Sequence, residues 1–137
     1  MGFFVKRALW AGLVAGLGLM PMTAGAVVLD CSLQPGADAM GWISKRVVID
    51  YDEAAGTARA ADEAIQGWNG GPIEAKVRKP SANQVSFTWD LTIPDAVQAA
   101  RLQFRLTWLK ADNGAVMAVK PLGYSNNFDA RGSCKVK

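Results

Sequence analysis

The chain has 137 residues, with 15 Lys+Arg, 12 Asp+Glu and no histidine. That length supports one domain at most. Without an imidazole, Ser-His-Asp and Cys-His catalysis and most zinc and copper sites are excluded.

Residues 1–26 read as a secretory signal peptide. Lys6 and Arg7 form a positive n-region, residues 8–20 are an apolar run of 13, and Pro21 breaks it. Ala24-Gly25-Ala26 then places small residues where a signal peptidase reads. An uncleaved anchor is the alternative, but 13 apolar residues span ~20 Å as a helix, short of the ~30 Å hydrocarbon core. Lys6-Arg7 is not an arginine pair, and Asp30 rather than a small residue precedes Cys31, so neither twin-arginine export nor a lipid anchor is expected. The exported domain is then 27–137, with 13 basic and 12 acidic side chains. Its near-neutral balance gives no reason to expect nucleic-acid binding, and no stable membrane anchor is expected after cleavage.

Residues 28–33 form a short strand carrying Cys31. Residues 45–51 and 57–65 flank an acidic turn, Asp52-Glu53-Ala54-Ala55-Gly56. Gln66-Gly67-Trp68-Asn69-Gly70-Gly71-Pro72 reads as a loop. Residues 73–79 alternate Ile73, Ala75 and Val77 against Glu74, Lys76 and Arg78. The alternation is cleanest in 85–93, where Val85, Phe87, Trp89, Leu91 and Ile93 share a face, and in 101–108, where Leu102, Phe104, Leu106 and Trp108 do. Between them, 94–99 reads as one helical turn opened by Pro94. Asn113-Gly114 then suggests a two-residue type I′ hairpin, pairing Asp112 with Ala115, Lys110 with Met117 and Trp108 with Val119. A second loop-like segment covers 123–128, and 131–136 carries Cys134.

About eight short strands, each with one polar face, predict an all-β domain: an antiparallel β-sandwich or a partly closed meander barrel. In an oxidising compartment Cys31 and Cys134 are expected to form one disulfide, which makes the terminal strands neighbours. Trp42 follows Cys31 by 11 residues, as in immunoglobulin domains, but Cys134 lies too far along and lacks the preceding tyrosine. The Cys31 and Cys134 pair, Trp42-Ile43, Val48-Ile49-Asp50-Tyr51-Asp52, Gly123-Tyr124-Ser125-Asn126 and Gly132-Ser133-Cys134 resemble small exported alphaproteobacterial proteins of unassigned function. The resemblance implies a one-domain exported β-protein and brings no activity or ligand with it.

For chemistry, Gly67, Gly70 and Gly71 lack the strand–loop–helix context and lysine of a phosphate loop. Asp50, Asp52 and Glu53 are the densest carboxylates; they suit a hard cation in principle, but a solvated turn is the simpler reading, and no metal or cofactor is expected. Asp62-Glu63 is a weaker case of the same kind. Lys76, Arg78, Lys79, Arg101 and Arg105 form a positive patch if their two strands adjoin, suited to an anionic partner; an ordinary charged face is the alternative. Trp89 and Trp108 belong to the core. Trp68, Asn69, Tyr124, Asn126 and Asn127 mix rings with amides in loops, and so are the candidate ligand-binding residues, for an envelope glycan or peptide. The alternative is that Trp68 and Tyr124 plug the ends of the core. The expected function is a non-enzymatic binding or envelope-structural protein, periplasmic or secreted; the rival is a carboxylate-dependent hydrolase of envelope glycans.

Overall fold

The structure, a computed structural model, describes residues 26–39, 41–94 and 100–137. Residues 1–25 of the signal peptide expected over 1–26, and the helical turn expected at 94–99 from residue 95 onward, lie outside the described residues, while Ala26 itself opens the first strand. Eight strands follow in order: β1 (Ala26–Pro35), β2 (Arg46–Asp52), β3 (Thr57–Asp62), β4 (Ile73–Arg78), β5 (Gln84–Ile93), β6 (Ala100–Leu109), β7 (Gly114–Pro121) and β8 (Phe128–Val136), with one short helix, α1 (Glu63–Asn69), between β3 and β4. Each strand pairs antiparallel with its neighbours in the chain, and β8 returns to pair with β1. Of the two architectures expected, the barrel is the one formed, and it is fully closed.

The alternation explains the inside. Leu29, Cys31 and Leu33 of β1, Val47, Ile49 and Tyr51 of β2, and Val85, Phe87, Trp89 and Leu91 of β5 are all buried, and the residues between them, mostly polar, take the outer face, where Ser86 is nonetheless buried. The large rings meet each other: Trp89 stacks on Phe104 at 5.5 Å between centroids, and Tyr51 meets Phe87 edge-on at 5.0 Å. Alanines on β3 and β4 (Ala58, Ala60, Ala75) leave the room these rings take. Eight strands give an interior just wide enough to be filled or to hold one small ligand. Here the buried side chains of the core occupy it.

The seam between β8 and β1 is fastened on both faces. Val28 and Lys137 exchange backbone hydrogen bonds (3.3 and 2.8 Å). Counting inward, Cys31 and Cys134 face each other at a non-hydrogen-bonded position, where opposed Cα atoms come closest. Their disulfide bridges Cα atoms 3.8 Å apart and spans 103 residues of sequence. Two residues earlier, Gly132 lies so close to β1 that a Cβ there would overlap the Ser32 carbonyl. On the outer face, Asp30 accepts two bonds from Arg46 of β2 (2.8 and 2.9 Å) and one from Lys137 (3.1 Å). These cations hold the Asp30 carboxyl well below the usual carboxylate range, the Arg46 bond contributing most.

Strand alternation sends all tight turns to one end of the barrel and all longer connections to the other. At the tight end, Lys110 ties three turns together. Its Nζ donates to the Ser81 carbonyl (2.8 Å), lies 3.6 Å from the Glu53 carboxylate and sits over the Trp108 ring.

Two local expectations are corrected here. The β6–β7 turn is not a two-residue Asn-Gly turn: it uses residues 110–113, and Gly114 already belongs to β7. Asp112 Oδ1 accepts from Gly114 N (3.0 Å), the Trp108 indole donates to Asn113 Oδ1 (3.1 Å), and Asn113 alone takes a positive φ of 58°. Trp108 therefore faces Ala115 rather than Val119, while Leu106 faces Met117 and Phe104 faces Val119. The displacement from 119 to 115 is an even number of residues, so the inward set is unchanged and hydrophobic pattern could not detect it.

The second correction concerns 57–72. The strand stops at Asp62, and Trp68 lies on a helix, not in a loop. Asp62 caps α1, its Oδ1 accepting from Ile65 N at 2.7 Å, and Gly70 ends it in the left-handed conformation (φ 77°).

Candidate functional site

The long-connection end is closed by two segments. In the β1–β2 connection, Trp42 N and Ile43 N donate to the Ala39 carbonyl (3.0 and 3.1 Å), a turn that drives Ala39 and Ile43 into the barrel mouth. From the other side α1 inserts Ile65, which is 1 % exposed. These small aliphatics are the plugs. The rings predicted as candidate plugs are outside: Trp68 is 50 % exposed and Tyr124 is 54 % exposed. Trp42, 37 % exposed, lies flat on Phe128 at the start of β8. Among the described residues, every exposed Trp or Tyr is thus on this one end.

An open cleft of about 1020 Å³ runs between the two segments. Val48 and Ala61, facing outward as a cross-strand pair, lie along it, with Ser44 and Lys45 on one wall and Glu63 and Gln66 on the other. The segments that border it carry Trp42 and Trp68, although neither ring lines the cleft itself.

The candidate residues divide. Trp68 and Asn69 sit together on the last turn of α1. Asn69 spends its amide on the local chain, Nδ2 donating to the carbonyls of Gly71 (2.9 Å) and Pro72 (3.3 Å). Tyr124 and Asn126 lie in the β7–β8 connection at the same barrel end but on another side of the rim. Asn127 instead borders a second depression, on the outer face of β4 to β8. Neither of these two depressions gathers the five.

Of the candidate carboxylates, Asp52, Glu53 and Asp62 have structural work. Asp52 Oδ1 accepts from Ala55 N (3.1 Å), and Glu53 faces Lys110. Asp62 accepts from Ile65 N, and the Ser44 hydroxyl of the β1–β2 connection beside it favours its charged form. Its carboxyl is pushed above the usual range, chiefly by burial. The helix cap that uses Asp62 leaves it poorly placed as a general acid.

The cationic patch is present in modified form. β4 and β6 are not neighbours; β5 lies between them. Lys76 and Arg105 flank Thr88, each paired with it across one ladder. Arg101 is engaged by Asp90 at 2.8 Å, and Lys79 lies beyond the strand, in the turn that follows.

A signal that would have located this face is the split of charge along the chain. Residues 27–72 hold seven acidic and three basic side chains, whereas 73–137 hold ten basic and five acidic. Because the strands close in sequence order, those two stretches become opposite sides of the barrel. The overall balance near neutrality hides the division. Comparison with family models, curated proteins and solved structures finds no match to this chain.

Proposed function

We propose that this chain is an exported, non-enzymatic binding protein of the cell envelope, and that its long-connection end contacts an envelope glycan. One observation carries the reading: among the described residues, the exposed Trp and Tyr rings collect at one end of the barrel, outside its buried core. Flat rings beside amides and an open cleft suit sugar faces, which offer C–H surface and hydroxyls together. A disulfide belongs to an oxidising compartment, in keeping with the leader-like residues 1–26. The hydrolase reading draws less support, since Asp52, Glu53 and Asp62 are committed to turns, an ion pair and a helix cap.

The experiment is calorimetric titration of the oxidised exported protein with soluble peptidoglycan fragments. Binding is expected in the unmodified protein and at least tenfold weaker in Trp68→Ala. Failure to bind glycan strands, or equal binding by the variant, would overturn the reading. Binding to the stem peptides alone would move the partner from glycan to peptide.

A further inference from the structure

We propose a second interaction surface, distinct from the aromatic end: the outer groove over β4 to β8 binds a linear polyanion. The groove measures about 860 Å³ and crosses the strands rather than following them. One row along it is set by register: Lys76 of β4, Thr88 of β5, Arg105 of β6, Ala118 of β7 and Asp129 of β8. At ~4.8 Å per strand this row is roughly 19 Å long. Thr88 and Ala118 are short, so they form low ground on either side of the Arg105 side chain. Lys120 stands diagonally beside Arg105, and Arg78 diagonally beside Thr88.

These cations are available. Among the described residues, Lys76, Arg105 and Lys120 have no salt bridge and no side-chain hydrogen bond; Arg78 makes one long bond of 3.4 Å to Thr88 Oγ1. The acidic groups bordering the groove are Glu74, Asp90 and Asp129. Asp90 is already neutralised by Arg101. Glu74 and Asp90 lie on one flank only, the Lys120 side, and Asp129 closes the β8 end, so the cations Lys76, Arg78 and Arg105 favour an anion that lies along the β4 to β6 part of the row. A compact anion would need donors that converge, and these are spread along a trough. A chain with repeated oxyanions meets them in succession, with arginine offering its paired N–H groups to each.

Inorganic polyphosphate is the probe, titrated into the oxidised exported protein at rising salt. Binding is expected, weakening roughly tenfold or more between about 50 and about 200 mM salt as counterions compete. Arg105→Glu and Lys76→Glu are each expected to weaken it at least tenfold with unchanged melting temperature, because both side chains point to solvent. Arg59→Glu on the acidic side changes net charge equally and is expected to leave binding within twofold. The proposal is overturned if no binding occurs at low salt, or if Arg59→Glu weakens it as much as Arg105→Glu. It is also overturned if anionic phospholipid vesicles bind and soluble polyphosphate does not. A salt-sensitive dimer abolished by Arg105→Glu would overturn it too, assigning the groove to the acidic side of a second copy.

Discussion

Trp42 lies nearly parallel to Phe128, with ring centroids 5.4 Å apart and planes inclined by 9°. The contact joins the β1–β2 connection to the first residue of β8, two segments at opposite ends of the chain. With the turn onto the Ala39 carbonyl, it packs the connection over the barrel mouth beside the Ala39 and Ile43 plugs. Trp42→Ala is expected to cost about 1–3 kcal/mol, from lost stacking and partial burial. Trp42→Phe should recover most of it. Urea denaturation of the three proteins measures this, and equal midpoints would mean the stack contributes nothing.

The seam offers a sharper test. Reducing the Cys31–Cys134 disulfide frees a loop of 103 residues, for which chain entropy gives a loss of up to ~4.7 kcal/mol. Melting with and without reductant should show a large downward shift. Gly132→Ala attacks the same seam without touching sulfur, since its Cβ would meet the rigid backbone of Ser32 rather than a side chain able to swing away. It is expected to cost ~3 kcal/mol or more, in the range of severe overpacking. Gly67→Ala, where no atom lies near the new Cβ, is the control; it lies within α1 and should leave stability unchanged or raise it by up to ~1 kcal/mol.

Asp30 and Asp62 should respond to pH in opposite directions. Asp30 has a depressed folded-state pKa, from Arg46 first and Lys137 next. Its contribution is therefore present above the unfolded value of ~3.9 and is lost as pH falls below it. Asp30→Asn should be less stable than the parent at pH 7, and the gap should narrow in acid. Solvent screening keeps the difference small. A gap that stays constant with pH would remove the ion pairs as its cause.

Asp62 has a raised folded-state pKa because it is buried. Its protonated form favours the fold, so that contribution is full below ~3.9 and is lost as pH rises through the raised value. Asn keeps the acceptor that caps Ile65 N without the charge. Asp62→Asn is thus expected to match or exceed the parent at pH 7 and to lose that advantage in acid. Asp62→Ala removes the cap and should cost about 1 kcal/mol. Equal stability of the Asn and Ala variants would show that the cap carries no weight.

The fold was legible because Phe87, Trp89, Leu102 and Phe104 alternate with polar residues, and that alternation needs only local geometry. The neighbouring termini were legible from Cys31 and Cys134 alone. The β6–β7 register was not: both registers bury Met117 and Val119, and the choice rests on the Asp112 and Trp108 side chains bonding into the turn. Helix α1 was missed because Gly67 and Gly70 outweighed its signals, although Asp62 at the cap and Gly70 past the end mark a short helix. Whether Trp68 faced core or water could not be read from the sequence, because it depends on Ile65 being the side chain that fills the mouth. The basic groove is a property of strand pairing, since Lys76 and Arg105 are 29 residues apart in sequence yet have only Thr88 of β5 between them in space.

Trp68 and Trp89 provide the last test, because their surroundings are opposites. Trp89 is 4 % exposed and stacked on Phe104 inside the barrel; Trp68 is 50 % exposed on the last turn of α1. Truncating Trp89 to Ala empties a packed interior and should cost ~3–5 kcal/mol. Trp68→Ala removes a ring that is half in water and replaces it with a strong helix former. The gain in helix propensity offsets part of the lost contact, so the net cost should be below ~1 kcal/mol. Thermal and urea unfolding of both variants decide the matter together with the glycan titration. A near-native Trp68→Ala that no longer binds glycan assigns the ring to recognition. A Trp68→Ala as unstable as Trp89→Ala would make the ring a structural element of the cap, and the aromatic end would no longer be a binding surface.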